Sequence, residues 1–491
     1  MYSEARAVFS IKRLVMVLFL CATGLSYSLI SIVFTNNHLA VSYFLLFLLF
    51  LFPMSYMAMR KDFNIFEPIT LFTLYYFTAV PSGYYFLSTN FEKGAYVTSF
   101  SHNVYSLFNM AILCLIFGYL FAVLGYYAGR KKEKREIIIR YEALSEISDK
   151  VLLPFIALSF LLGLSNFIVN IWKISGGDII EYLSTMSIRL VLDKEIPHTT
   201  LFYIFTYFSV YLLIYYLKRR EKNTTIILLP LSIAVFMLAS TGRVFNTISY
   251  LLSVIAVYYY INPDRQKANY NRKYLLVFAI VVSSSVLLFL FRFATSASLS
   301  IESVSDLSAF LGRLNLTDGL RFIFFETGNI PNIPVLMKII DSWGNEIGFL
   351  YGQSLVSWVV NILPASIRPE GYQPSVMIMK AGWFPDALGA HPPTGIGEMY
   401  ANFGMLGPFL GMFVFGYFCA ILYNLLGRFN NFWMLVAYCQ ILTGFVFLYA
   451  KGEFDNLSLW QILPIALVYL FLRACTQILS RLKFVCERST V

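Results

Sequence analysis

The sequence predicts an all-α polytopic membrane protein with about twelve transmembrane helices, both termini on the cytoplasmic side, and one long loop on the outer side. Three observations predict it. Hydrophobic residues make up 58% of the 491-residue chain and charged residues 13%, against roughly 25% charged in an ordinary soluble domain, so a water-exposed globule of this length could not cover itself with polar surface. Apolar stretches of about twenty residues, the length that crosses a hydrocarbon core, recur along the chain. Lysine and arginine crowd alternate connections, as the positive-inside rule requires.

Spans are expected near 14–34, 39–59, 65–87, 105–128, 151–172, 199–217, 225–241, 244–261, 274–294, 404–426, 431–450 and 457–479. The chain thus divides into a bundle of helices one to nine (1–294), a long outer loop (295–403), and helices ten to twelve with a cytoplasmic tail (404–491). With the N-terminus inside, 25 of the 37 lysines and arginines fall on inner segments. The densest run, Arg130-Lys131-Lys132-Glu133-Lys134-Arg135, reads as a topology anchor facing anionic lipid. The net charge of +10 then needs no nucleic-acid partner.

The first apolar segment follows Lys12-Arg13. It is longer than a signal-peptide core and lacks a small-x-small exit, so it reads as an uncleaved first span. Cys21, Cys114, Cys419, Cys439 and Cys475 fall in spans and Cys486 in the inner tail, so neither a disulfide nor a thiolate metal site is expected in the outer loops.

The outer connections carry the informative residues. In the connection 173–198, Gly176-Gly177-Asp178 reads as a helix start with Asp178 as its cap. Arg189 follows, either as a solvated residue or as an anion contact. Helices seven and eight are joined by only Ser240-Thr241-Gly242-Arg243. So tight a hairpin puts Arg243 at headgroup level, either snorkelling to phosphate or forming an anion site, since an arginine within a bundle needs a negative partner and no acid stands within ten residues of it. Arg292, in Phe289-Leu290-Phe291-Arg292-Phe293, is either buried or part of an interfacial aromatic belt.

The long loop contains nine acids, five bases and three of the six tryptophans. Leu307 to Phe325 reads as a helix capped by Ser305 or Asp306, with Arg313, Thr317 and Arg321 on one face and the two arginine stems about 12 Å apart. Asp318 can pair with Arg321, so this is either a salt-bridged solvated face or an anion site; the excess of acids argues against a general basic coat. From Trp358 to Pro393, prolines at 364, 369, 374, 385, 392 and 393 interrupt regular structure and suggest a lid or floor lying on the membrane. Thr394-Gly395-Ile396-Gly397-Glu398 is suited to bring backbone N–H groups near a ligand, and Glu398 with Asn402 shares a face of the incoming tenth helix. Glu398 either complements the helix dipole or does chemistry. His391, among small residues and prolines, either packs in the loop or accepts a proton.

Four histidines, none spaced i, i+4 with a carboxylate, give no zinc signature, and no cofactor is expected. Phosphate-binding Gly-Lys loops, dinucleotide fingerprints and nucleophile elbows are missing from the sequence. No long repeat or pair of broken helices announces a transporter, and helices two, four and eight read as almost purely apolar.

Ile362-Leu363-Pro364-Ala365-Ser366-Ile367-Arg368-Pro369, then Phe384-Pro385-Asp386, then Gly395-Ile396-Gly397-Glu398-Met399-Tyr400-Ala401-Asn402-Phe403-Gly404 together resemble the outer-loop signature of Wzy-type O-antigen polymerases, which join oligosaccharide repeat units. Ser240-Thr241-Gly242-Arg243 looks like the turn of the same family. The motif agreement covers about sixty residues and the topology most of the chain. The resemblance implies a GT-C-like glycosyltransferase of the bacterial inner membrane, acting at the periplasmic face. It would transfer a glycan from undecaprenyl diphosphate onto a new lipid-linked repeat unit, without metal and with inversion, alongside a flippase and a chain-length regulator.

That chemistry agrees with the residues. A glycosyl diphosphate already has a good leaving group, so the protein must neutralise charge on the departing phosphate and activate one hydroxyl. Forked, permanently charged arginines suit the first task; a carboxylate or imidazole suits the second. The candidates are Arg243 with Arg313 or Arg321 at the diphosphate, Arg292 or Arg189 as further anion contacts, and Glu398 or His391 as general base. Asn402 is placed beside the substrate with Glu398, while Tyr400, Trp383 and Trp358 offer ring faces to sugars. Two alternatives are an O-antigen ligase, using the same donor, and a flippase or transporter of lipid-linked oligosaccharide.

Overall fold

Burial in lipid forces a backbone to satisfy its own hydrogen bonds, and a chain this apolar does so with helices. The computed structural model describes residues 38–59, 64–89, 91, 100–130, 147–184, 203–220, 224–240, 244–261, 333–362, 393–426, 432–452 and 462–489. Among them there is no strand; the one extended pairing is an isolated bridge between Trp343 and Ile347. The helices are α1 (His38–Met59), α2 (Pro68–Phe77), α3 (Ala79–Ser88), α4 (Val104–Gly129), α5 (Asp149–Ser175), α6 (Ile179–Ser184), α7 (Tyr203–Arg219), α8 (Leu228–Ala239), α9 (Val244–Ile261), α10 (Ile333–Ser342), α11 (Gln353–Ile362), α12 (Gly395–Phe403), α13 (Met412–Leu426), α14 (Phe432–Lys451) and α15 (Ile462–Ser489). A 3-10 turn, Thr224–Ile227, leads into α8 and a π-helical turn, Gly407–Gly411, leads into α13.

The protein is an all-α membrane protein. Among the described residues five helical stretches are long and apolar enough to cross a bilayer: His38–Ala58, Val104–Gly129, Asp149–Ser175, Gly407–Leu426 and Phe432–Lys451. They coincide with the expected spans two, four, five, ten and eleven. Expected spans one and nine, and the expected helix 307–325, lie outside the described residues.

Local chemistry moves several boundaries. The stretch 65–87, expected as one span, is two helices meeting at Thr78. Pro81 has no N–H for the carbonyl of Phe77 and its ring crowds that carbonyl, which breaks the ladder there. The stretch 225–241 contains a twelve-residue helix, about 18 Å long, with Pro230 in its first turn, where a missing N–H is harmless. Expected helix ten starts later, at Gly407, because Gly404 adopts φ +59 and ends α12. By contrast, α15 continues to Ser489, ten residues past its expected end. Asp178 does cap α6: its Oδ1 accepts the Glu181 N–H at 3.3 Å, just after Gly176 closes α5 with φ +61.

The described helices form two compact units. One contains α1 to α4, α10 to α13 and the end of α14. Its centre is α4, whose residues Gly118, Ala122, Gly125 and Gly129 make a seam of small side chains. A Cβ on Gly125 would stand 2.0 Å from the Phe413 carbonyl oxygen, and one on Gly416 would stand 1.8 Å from that of Ala122. The backbones of α4 and α13 therefore touch, as membrane helices do where small residues permit it. On another side of α4, Asn109 Nδ2 donates to the His38 carbonyl at 3.2 Å and its Oδ1 accepts from Ser42 at 2.5 Å, fixing α1.

At the far end of α4 a charge is buried. Glu67, the residue before α2, is fully buried, accepts a hydrogen bond from Tyr126 Oη, and lies 3.7 Å from Arg130 Nη1. Arg130 also sits over the rings of Tyr126 and Tyr423, 5.9 Å from each centroid. The first arginine of the basic run is thus drawn to a protein carboxylate. A charge out of water requires such a partner.

The second unit contains α5 to α9, the beginning of α14, and α15. Its α5 packs on α7 so closely that a Cβ on Gly163 would meet Thr206 Oγ1 at 1.6 Å. Phe167, Ile171, Tyr182 and Met237 form a core. Midway along three helices, Gln440 Nε2 donates to Tyr211 Oη and, at 3.3 Å, to Ser253 Oγ, while Tyr211 and Ser253 bond each other. Helix eight of the sequence reading, expected almost purely apolar, thus buries Thr247, Ser249 and Ser253 in α9.

Substituting Gly416→Ala should separate α4 from α13 and destabilise the protein by about 1–3 kcal/mol, the usual penalty for overpacking. A lowered thermal unfolding midpoint in detergent would register it, whereas Ala at the open position Gly348, with nothing within 4 Å, should leave the midpoint near that of the parent.

Candidate functional site

The motif Gly395–Gly404 folds into α12, nine residues wedged within the first unit. Thr394 starts the helix: its Oγ1 accepts the Gly397 N–H at 3.1 Å and its own N–H donates to the Lys451 carbonyl at 2.9 Å. Thr394 adopts φ +70, a conformation that disfavours a residue with a Cβ. The surroundings enforce it. A Cβ on Gly395 would fall 2.2 Å from the Tyr449 carbonyl oxygen, and one on Gly397 would approach Leu336 and Ile339 of α10 at 3.3 and 3.4 Å. These glycines let α12 lie against α14 on one side and α10 on the other.

Glu398 and Asn402 share a face, as their spacing requires, and both are fully buried. Asn402 Nδ2 donates to the Glu398 carbonyl and to Ser354 Oγ, each at 2.7 Å, and its Oδ1 accepts the Gly352 N–H at 2.8 Å. The N–H groups of Leu350 and Tyr351 add bonds to the carbonyls of Ala401 and Asn402 at 3.0 and 3.1 Å. Asn402 therefore holds the segment 350–354 against α12. Tyr400 is 9% exposed; burial raises its phenol pKa, with the nearby Cys114 adding to the rise, so the hydroxyl stays protonated. Its ring is enclosed rather than presented to solvent.

Three sequence candidates, Glu398, Tyr400 and Asn402, thus stand together on α12. Trp358 lies in α11, which packs on α12. Arg189, Arg243, Arg292, Arg313, Arg321, Trp383 and His391 lie outside the described residues. Among the described residues no three His, Cys, Asp or Glu side chains converge to hold a metal.

A pair that sequence reasoning missed stands next to α12. Asp341, near the end of α10, has a side chain shut off from solvent, and its Oδ1 is 2.7 Å from His102 Nδ1. The Ser101 N–H donates to Oδ2 at 2.8 Å, the His102 N–H to Oδ1 at 3.2 Å, and Lys338 Nζ lies 3.5 Å from Oδ2. The sequence hinted at half of this: Asn103 caps α4, with its Oδ1 accepting from Tyr105 and Ser106 N–H, which fixes where the chain turns but not what it meets 239 residues later. Burial pushes the Asp341 carboxyl up, but the Ser101 N–H, His102 and Lys338 outweigh it and hold the pKa below the ordinary carboxylate range. Asp341 is therefore ionised at neutral pH.

No protein-family model matches the chain, and no curated protein or solved structure is significantly similar to it.

A carboxyl whose pKa is lower folded than unfolded contributes stability above the unfolded value, roughly 3.9, and that contribution fades as the pH falls through the folded value. Asp341→Asn should thus destabilise the protein by about 2 kcal/mol at pH 7, as expected for hydrogen bonds to a charged group. The gap from the parent in thermal unfolding should narrow below about pH 4.

Proposed function

We propose that this protein is a polysaccharide polymerase of the bacterial inner membrane, elongating a glycan carried on undecaprenyl diphosphate at the periplasmic face. In this reading twelve spans in a GT-C-like arrangement surround the site, with the segment before span ten on the outer side. Arg243 and Arg313 or Arg321 hold the diphosphate, Arg292 and Arg189 add positive charge, and the anomeric carbon of one lipid-linked glycan is attacked by a hydroxyl of the next. Charge on the departing phosphate is neutralised by fixed guanidinium groups, where preorganised electrostatics contribute most. Asn402 acts as a positioning residue, clamping 350–354, and Trp358 and Trp383 shape the sugar path. A carboxylate or an imidazole takes the hydroxyl proton. A chain-length regulator and a flippase are its expected partners.

The observation that carries this reading is the sequence block Gly395–Gly404, whose likeness to the polymerase signature is matched by its burial. A motif that keeps a carboxylate, an amide and three glycines in tight register has a specific local task, and the task sits where an apolar chain spends its few polar residues. A second reading, as a flippase or transporter of the same lipid-linked oligosaccharide, draws support from the buried Gln440–Tyr211–Ser253 cluster at mid-helix, where a transporter would place polar groups.

Deleting the chain and resolving surface polysaccharide on a gel separates these readings. Loss of the ladder with single-repeat material retained is the polymerase outcome; loss of all attached repeats is that of a flippase or ligase. Arg243→Ala and Arg321→Ala should each reach the membrane at normal levels and leave single-repeat glycan, and normal ladders in both would remove the arginines from the site. In a purified assay, polymerisation should survive EDTA; reversible loss would overturn the metal-free mechanism.

A further inference from the structure

We infer that His102, oriented by Asp341, is the general base that deprotonates the attacking sugar hydroxyl. The inference rests on the polymerase reading and assigns its unfilled role.

Three features carry it. The first is orientation. Asp341 takes part in bonds from Ser101, His102 and Lys338, so the carboxylate cannot turn, and the imidazole at 2.7 Å is held by a fixed acceptor. An ionised Asp341 accepts, so Nδ1 carries the hydrogen and the lone pair is left on Nε2. The second is access. The His102 side chain is 60% exposed whereas Asp341 is sealed, the disposition of a base that meets substrate and an orienter that does not. Glu398, by contrast, is fully buried and in this arrangement cannot touch a sugar hydroxyl. The third is position. Asp341 lies two residues beyond Ile339, whose Cδ1 would be 3.4 Å from a Cβ on Gly397, so Asp341 belongs to the helix that backs the Glu398–Asn402 segment and holds His102 beside that helix.

The charged groups around His102 among the described residues are Asp341 and, behind it, Lys338, whose ammonium also lies 6.0 Å from the Phe100 ring. In the step, the acceptor hydroxyl oxygen forms a bond to the anomeric carbon as the bond from that carbon to the diphosphate oxygen breaks. The diphosphate leaves with the electron pair, the hydroxyl proton passes to Nε2, and the imidazolium returns it to water. Lys338 lies 3.5 Å from Oδ2, the oxygen that the imidazole does not contact, and favours the ionised form of Asp341.

The experiment uses full-length protein in proteoliposomes with the undecaprenyl-diphosphate-linked repeat unit extracted from cells that lack this chain. Turnover and KM are measured from pH 5 to 9 for the parent, His102→Gln and Asp341→Asn. His102→Gln keeps the backbone bonds to Asp341, so it tests the base without removing the clamp. The expected result is a fall in turnover of about 100-fold or more, KM within threefold of the parent, and loss of the acidic limb of the pH profile. Asp341→Asn should lower turnover less than His102→Gln does, with KM again within threefold of the parent, because it loosens the orientation of the imidazole without removing the base. Should the parent polymerise while His102→Gln stays within threefold with its acidic limb intact, or lose activity equally at every pH with a raised KM, the base is elsewhere and the polymerase reading stands. If the parent makes no polymer from this substrate, the polymerase reading and the base assignment fall together.

Discussion

The contact on which the first unit depends is the meeting of two backbones, α4 and α13, through a seam of glycine and alanine. In hydrocarbon there is no hydrophobic gain from pressing apolar helices together, because lipid solvates them as well as protein does. Association then comes from close packing and from the few hydrogen bonds that apolar surroundings strengthen. Gly125 and Gly416 supply the first, and Asn109 with Ser42 supplies the second. With α4 fixed by α1 and α13, its remaining side accepts Ile396, whose Cδ1 would be 2.4 Å from a Cβ on Gly118, and α12 is set in place by the same logic.

Two buried carboxylates of this unit have partners from distant parts of the chain. Glu67 meets Arg130 and Tyr126; Asp341 meets His102, Ser101 and Lys338. Breaking either pair by removing one member would strand the other, which is far more unfavourable than the pair is favourable. Such pairs specify which segments meet more than they add stability. They tie α2 to α4 and the approach to α4 to α10, and so fix the surroundings of α12.

Much of this was legible in the sequence wherever the signal was local. Long apolar runs located α1, α4, α5 and α14 to within a few residues, since twenty apolar residues have few alternatives to a span. Gly176 and Asp178 announced the end of one helix and the start of the next, and a four-residue spacing placed Glu398 and Asn402 on one face. Where local and tertiary demands competed, the sequence misled. Pro81 stood in plain view, yet the apolar content around it suggested an unbroken span. The glycines of Gly395-Ile396-Gly397 suggested backbone offered to a ligand, whereas Gly395 and Gly397 admit Tyr449, Leu336 and Ile339. The meeting of His102 with Asp341 gave no signal, because pairing across 239 residues leaves no periodicity to read.

The length of α15 has a geometric consequence. Its 28 residues measure about 42 Å at 1.5 Å per residue, against a hydrocarbon thickness of about 30 Å. To hide that excess by leaning, the helix would need an inclination near 45°, beyond the roughly 40° that membrane helices reach. A helix this long therefore has more turns than a hydrocarbon core can enclose, and part of it must stand outside any such core.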